Sequence, residues 1–291
     1  MKPPRFEYHD PRSVQEAVKL LGEQPGECKI LSGGQSLMPL LNMRLVRPKV
    51  IVDINRIQEL NYVRPWNNGI AIGACVPLQA IETNSLFAQR IPILREAVRQ
   101  IAHPQIRTRG TVCGSIAHAD SAAELPALAL ALDAEMVATG PSGTRTIPAS
   151  DFFVSYFTTS LGSNEILTEV RFPGPPQGMA WSFMEVSRRH GDFALVGAVT
   201  GLAVDSNRKA ATAARLVYFG VGPTPIRVQE AEQALMGQPP GAAAFKAAAD
   251  AVSRSLDPDN DLHASAEYRR AVAGTLTRRS LEQSWHKLGG N

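Results

Sequence analysis

The sequence predicts an α+β protein of two domains, on three observations. Short helical and strand patterns alternate from Phe6 to Phe172. The run Pro173-Gly-Pro-Pro-Gln-Gly then reads as a linker. Beyond it come three strand-like blocks followed only by helices, the order of an antiparallel sheet with helices on its face. The expected domains are 1–176, with subdomains of about 1–56 and 57–176, and 177–291. A chain of 291 residues is long enough for this division, and its 44% hydrophobic and 20% charged residues are ordinary for a soluble globular core.

In the first subdomain, Phe6-Glu-Tyr-His-Asp-Pro is extended. Ser13 with Glu16 has capping-box spacing, and Val14, Ala17, Val18, Leu20 and Leu21 give one apolar helical face that stops at Gly22. Ile30-Leu31 reads as the end of a strand, Leu37 to Leu45 as a helix or turn, and Val50-Ile-Val-Asp-Ile as a strand. This is a β-α-β-α-β-like unit, too small for a full Rossmann domain.

The second subdomain begins near Ile57. Leu60-Asn-Tyr-Val-Arg and Gly69-Ile-Ala-Ile-Gly-Ala read as strands joined by a turn. Helices are expected over Pro77 to Asn84 and Ile93 to Ile101, and another between Ala122 and Leu132 with Pro126 in its first turn. Glu135-Met-Val-Ala-Thr, Arg145-Thr-Ile-Pro and Glu165-Ile-Leu-Thr-Glu-Val-Arg-Phe are strands. After the linker, Ala180 to Arg188, Ala194 to Val204 and Ala213 to Gly222 are the three strand blocks. Ile226 to Met236, Ala242 to Leu256 and Ala264 to Leu288 are the helices.

Chemistry concentrates in two glycine loops. In Ser32-Gly33-Gly34-Gln35-Ser36 the paired glycines admit positive φ and close approach of a ligand. Neighbouring N–H groups there can form an anion nest, with the serine hydroxyls as further donors. The second loop is Thr108-Arg109-Gly110-Thr111-Val112-Cys113-Gly114-Ser115-Ile116-Ala117-His118-Ala119-Asp120. Two such loops suit one elongated diphosphate ligand, although the first, standing alone, reads first as a plain turn. Neither is a P-loop or a Gly-x-Gly-x-x-Gly fingerprint.

Several function classes are disfavoured. A net charge of +3 gives no nucleic-acid footprint, and Arg269-Arg270 with Arg278-Arg279 reads as the solvated face of a late helix. Cys28, Cys75 and Cys113 are scattered singly, so no iron–sulfur cluster or zinc ribbon is encoded; the sparse count suits a reducing cytoplasm. The start Met1-Lys-Pro-Pro-Arg-Phe lacks an apolar signal core, and no stretch reaches membrane-span length, so a cytoplasmic protein is expected. The histidines lack ligand-pair spacing, and His103, His118 and His190 read first as polar or packing residues. No nucleophilic triad is visible, which leaves a cofactor to carry any reaction.

The motifs Ser32-Gly-Gly-Gln-Ser-Leu-Met-Pro and Arg109-Gly-Thr-Val-Cys-Gly-Ser-Ile-Ala-His-Ala-Asp resemble, in order and spacing, the two flavin-binding signatures of the FAD-binding medium subunit of molybdenum hydroxylases. Phe183-Met-Glu-Val-Ser-Arg-Arg-His-Gly-Asp-Phe-Ala resembles that family's third motif. The resemblance runs over nearly the whole chain. It implies a two-subdomain FAD-binding domain of the PCMH or vanillyl-alcohol-oxidase type, followed by a C-terminal domain with a three-stranded antiparallel sheet and helices. It implies that Ser32, Gly33, Gly34, Gln35, Ser36 and Leu37 bind the pyrophosphate of noncovalent FAD, with Thr111, Val112, Cys113, Gly114 and Ser115 as the second diphosphate loop. Cys113 replaces the first of that loop's two glycines, reducing backbone freedom.

Further roles follow from the same resemblance. Glu124 takes the place of an acid that hydrogen-bonds the ribityl or adenosine side of FAD, although an acid at a helix start is also favoured by the dipole, and Asp120 has the same two readings. Ile101 lies near the adenine and Leu167 lines the flavin pocket. Met184 stands where relatives often carry a lysine beside the flavin ring. The implied partners are a large molybdopterin subunit, a small subunit with 2Fe–2S clusters, and an external electron acceptor. A stand-alone flavin oxidoreductase and a non-enzymatic nucleotide-binding module are the alternatives.

Overall fold

Ser13 starts the first helix with its own side chain. Its Oγ accepts from the Glu16 N–H at 3.2 Å, and the Glu16 carboxylate accepts from the Arg12 N–H at 2.8 Å, a capping box displaced by one residue in its second bond. The computed structural model describes residues 2–290. Helix α1 (Val14–Glu23) buries Val14, Ala17, Val18 and Leu21. It leads from β1 (Glu7–His9) to β2 (Cys28–Leu31). The short helix α2 (Leu37–Asn42) leads on to β3 (Val50–Asp53), and the three strands pair in parallel in the order β1-β3-β2. Leu31 lies opposite Asp53. The first glycine loop therefore leaves the sheet at the carboxyl ends of two parallel strands, where α/β sheets bind ligands.

The second subdomain begins with the hairpin β4 (Val63–Trp66) and β5 (Gly69–Gly73). Leu60 and Asn61, expected in a strand, instead belong to or follow a single 3₁₀ turn at Gln58–Leu60. Helices α3 (Gln79–Thr83), α4 (Ser85–Arg90), α5 (Pro92–Val98) and α6 (Pro104–Arg107) follow. Helix α4 escapes the pattern because it is under two turns long; Asn84 Oδ1 caps it by accepting from the Leu86 N–H at 3.0 Å. Next come α7 (Val112–His118), α8 (Glu124–Ala131), β6 (Glu135–Gly140), β7 (Gly143–Pro148) and α9 (Ala149–Phe152). A small hairpin, β8 (Phe153–Ser155) with β9 (Thr158–Thr159), precedes β10 (Ile166–Phe172). The five-stranded antiparallel sheet has the order β4-β5-β10-β6-β7, so the last strand in sequence closes its centre.

Between β10 and β11 (Met179–Ser187) the chain runs without regular structure through the Pro/Gly segment. Strands β11, β12 (Ala194–Val204) and β13 (Ala211–Phe219) are the three long antiparallel strands expected. A two-residue edge strand, β14 (Ile226–Arg227), adds to them where a helix start was expected. Helices α10 (Gln229–Leu235), α11 (Ala242–Ser255) and α12 (Ala266–Lys287) complete the chain.

This sheet is buried on both faces. Trp181, Val199, Val217 and Phe219 join the core of the second subdomain, whereas Val196, Leu202, Leu216 and Tyr218 pack under α10, α11 and α12. Phe183 stacks on Phe219 at 5.8 Å between ring centres. Polar ties secure the first face: the Gly220 N–H donates to Ser121 O at 2.8 Å, and Lys287 Nζ donates to Trp181 O at 2.7 Å and to Glu96 at 2.9 Å. Arg269 corrects the expectation of a solvated basic face. It is 6% exposed, and its guanidinium donates to Leu195 O, to Gly220 O at 2.7 Å and to Asp261 Oδ2 at 2.7 Å. A charge this buried needs such partners.

Candidate functional site

The two glycine loops meet. A Cβ on Gly33 would stand 2.7 Å from Gly110 Cα and closer still to the Arg109 carbonyl oxygen, so only glycine permits this approach. One step away, Ser32 Oγ donates to Ala74 O at 3.1 Å and lies 3.0 Å from Thr111 Oγ1. With the Ser32 proton on Ala74, the Thr111 hydroxyl donates to Ser32. It still accepts from the Gly114 N–H at 3.1 Å. Asn55 braces the first loop from β3: its Nδ2 donates to Ser32 O at 2.8 Å and to Asp53 Oδ1 at 2.6 Å. Asp53 Oδ2 in turn accepts from Tyr8 OH at 2.7 Å.

The first loop presents donors. Gly34 has φ +73°, and Gln35 Nε2 donates back to Gly33 O at 3.2 Å. Among the described residues, the backbone N–H groups of Gly33, Gly34, Gln35, Ser36 and Leu37 donate to no protein acceptor. Consecutive unpaired N–H groups beside a left-handed glycine form a nest that suits a pyrophosphate. The residues present therefore fit a dinucleotide cofactor such as FAD.

The second loop is the start of a helix. Thr111 is the N-cap of α7, and the Val112 N–H donates to Val76 O at 3.1 Å. This revises the view of Cys113. Its backbone is helical, so a side chain costs no conformational freedom. The thiol points away into the core, where Sγ donates to Ile72 O at 3.6 Å and burial pushes its pKa up. Only the main chain of Cys113 is presented at the loop; Gly114 and Ser115 are half-buried beside it. A Cβ on Gly114 would stand 2.6 Å from Thr111 Oγ1, so the capping bond itself requires glycine there.

The other expected site residues divide. Glu124, the first residue of α8, is 4% exposed; burial, then Glu185 and Asp120, push its carboxyl up to about 8. Burial raises Glu185 to about 7, and its Oε2 has no hydrogen-bond partner. Burial thus favours the protonated form of Glu124, which can donate a hydrogen bond to a sugar hydroxyl. Asp120 Oδ1 accepts from the Ala122 N–H at 2.9 Å. Ile101 lies at the corner before α6, its carbonyl accepting from Arg107 Nη1 at 3.0 Å. Gly191 of the third motif closes on the adjoining Ala102 and His103. Leu167 is buried in the core opposite Ala138. Met184 does not join the site: strand alternation turns Phe183 toward the second subdomain and Met184 toward the C-terminal helices.

Around Asp120, at the end of the second motif, opens a cleft of about 680 Å³ whose walls include Asp120, Tyr156, Phe157, Arg188, Asp192, Phe193, Asp259 and Arg269. His118 at the end of α7 packs on Phe157 with ring centres 5.0 Å apart, and burial lowers its pKa, leaving the imidazole neutral. Tyr156 OH donates to Asp259 Oδ2 at 3.2 Å. Sequence reasoning missed Asn55, Tyr156, Phe157 and Asp259. Asn55 had a faint signal, two residues beyond a strand-terminal aspartate; the others reach the cleft only through tertiary folding.

Comparison with known proteins accords with this geometry. Residues 4–175 match the family profile described as the FAD binding domain in molybdopterin dehydrogenase, and residues 181–284 match the CO dehydrogenase flavoprotein C-terminal domain. The chain is 44% identical to the 6-hydroxypseudooxynicotine dehydrogenase complex subunit alpha of Paenarthrobacter nicotinovorans, over 99% of this chain and 97% of that one. It superposes on a chain of carbon monoxide dehydrogenase from Hydrogenophaga pseudoflava with a TM-score of 0.95 and 39% identity, covering 99% of both. Quinoline 2-oxidoreductase from Pseudomonas putida 86 gives a TM-score of 0.94 at 34% identity, again over 99% of both chains.

Proposed function

Because the chain belongs to the family of FAD-binding medium subunits of molybdenum hydroxylases, we propose that it is the electron outlet of a complex with a large molybdopterin subunit and a small iron–sulfur subunit. The observation that carries this reading is the nest of five unpaired N–H groups at Gly33–Leu37, closed against the start of α7. These groups hold the cofactor's diphosphate, and the helix start adds favourable dipole charge. Protonated Glu124 donates to a sugar or ribityl hydroxyl, with Asp120 beside it. Bound FAD supplies the redox chemistry, taking up electrons one or two at a time and passing them on.

The chain's own residues do the rest. Ser32, Thr111 and Asn55 fix the two loops relative to each other. Tyr156, Phe157 and Phe193 give the cleft aromatic walls through which an external acceptor approaches. The molybdopterin and the 2Fe–2S clusters reside on the partner subunits, and substrate choice is assigned to the molybdopterin subunit. No helix of the described residues is long and apolar enough to cross a membrane. Cys28, Cys75 and Cys113 are free thiols, which suits the cytoplasm.

Attachment of FAD is noncovalent, since Cys113 is turned into the core and the first loop carries no histidine or cysteine. Acid denaturation of the yellow protein should release all its flavin, as FAD, to the supernatant. Flavin retained on the precipitated chain would contradict this, and a colourless chain that takes up no FAD would overturn the reading.

A further inference from the structure

Buried charges in this protein are paired. Arg107 meets Glu82, Glu169 meets Arg64 and Arg171, Glu232 meets Arg227, and Arg269 meets Asp261. Glu124 is the exception among the described residues. It is 4% exposed, and its carboxyl meets only its own main-chain N–H.

The side chain facing it is a second acid. Glu185 lies two residues from Phe183 on β11, so strand alternation turns both toward the second subdomain. Its cross-strand neighbour is Gly197, and the Phe219 ring fills the space where a side chain would stand there. Helix α8, which begins with Glu124, packs on β12 and β13 at this face. Glu185 Oε2 is buried and has no hydrogen-bond partner. After burial itself, the Glu185 charge is the largest cause raising the Glu124 carboxyl.

No cation offsets the two. On the strands packed against α8, Arg215 is paired with Asp133 and Arg227 with Glu232. Strand β12 carries no ionisable side chain, and Asp151 of α9 is exposed. Helix α5 lies against both α8 and β11. Its Glu96 takes Lys287 of α12, and its Arg95 Nε is buried without an acceptor, so it reaches neither acid. His118 of α7 packs on Phe157 as a neutral imidazole, and Asp120 adds a further negative charge.

We infer that Glu185 is a second carboxyl of the cofactor site and shares one proton with Glu124, the pair binding the hydroxyl-bearing ribityl or ribose part of FAD. This rests on the reading that the chain binds FAD. One shared proton removes the repulsion between two buried like charges. A singly protonated pair offers one O–H donor and free acceptor oxygens, the complement of a hydroxyl that both donates and accepts. It also gives the unbonded Glu185 oxygen a partner, which the protein itself does not supply. Loss of the shared proton leaves two anions that only accept. Cofactor binding therefore favours the protonated pair, and affinity falls as pH rises.

The test titrates the flavin-free full chain with FAD by calorimetry, in buffers of different ionisation heat, so that affinity and proton uptake are read together. The wild type should take up protons on binding at about pH 8 and lose affinity above it, by at most about tenfold per pH unit. In Glu185→Gln the loss should begin at lower pH, because Glu124 no longer feels a second charge. Glu124→Gln with Glu185→Gln should bind FAD without proton uptake and with a flat pH profile. Glu185→Leu should weaken binding roughly tenfold even at about pH 6, with an unchanged circular dichroism spectrum. Absence of proton uptake in the wild type, or a wild-type pH profile in Glu185→Gln, would overturn the inference while leaving FAD binding intact. A wild-type chain that takes up no FAD at any pH would overturn the cofactor reading, and this inference with it.

Discussion

A hydrogen atom in place of a side chain at Gly33 lets the two glycine loops touch. Gly33→Ala forces the Arg109–Gly110 main chain to move, an overpacking cost of about 1–3 kcal/mol. The expected outcome is loss of most bound FAD with a smaller fall in urea midpoint, read from the absorbance ratio and a denaturation curve; full occupancy would remove Gly33 from the site. Glu124 gives a pH prediction. Its carboxyl titrates near 8 when folded, against 4.5 for the unperturbed group, so the folded state binds the extra proton. Its stabilising contribution is fully present below about 4.5 and is lost as pH rises through about 8. The flavin-free chain should lose stability over that window, and Glu124→Gln should flatten the loss; parallel curves for the two proteins would show that Glu124 is not the titrating group.

At the scale of elements, α7 carries the site through one residue. Thr111 both caps the helix and bonds Ser32. Thr111→Ala should cost about 1 kcal/mol of stability as a lost cap and weaken FAD binding further, whereas Thr111→Ser should restore both. Equal FAD affinity in all three proteins, measured by equilibrium titration, would separate the cap from the site. The glycine motifs were legible only as a pair, because either loop alone reads as a plain turn, whereas the two together in this order and spacing match one family's signatures. That the second motif begins a helix was not legible, since α7 (Val112–His118) is one short segment of small residues whose start is fixed by Val76 and Ser32, far away in sequence. Helix α1 was legible from its own periodicity and cap. Strand β14 was not, being two residues that pair only because β13 offers an edge.

At the scale of the molecule, the third sheet joins the flavin-binding part to the C-terminal helices through both of its faces. Phe219 packs on Phe183 in the shared core, and Phe219→Ala should destabilise the whole chain by about 3–5 kcal/mol, measurable as one cooperative shift in chemical denaturation. Two separate transitions with only one displaced would show that the sheet does not couple the two parts. Alternation along β11 was readable in the sequence, but which face met which layer was not, so Met184 was expected at the site and lies on the far side. Arg269 looked like surface charge because nothing local announced the carbonyls of Leu195 and Gly220 that bury it. The chain's role depends on electrons arriving from another subunit. The most direct measurement is anaerobic: mix the FAD-loaded chain with the substrate of its complex, then add the two partner subunits while following the flavin absorption band. Bleaching only after the partners are added is the predicted result; bleaching by substrate with this chain alone would contradict the electron-outlet account.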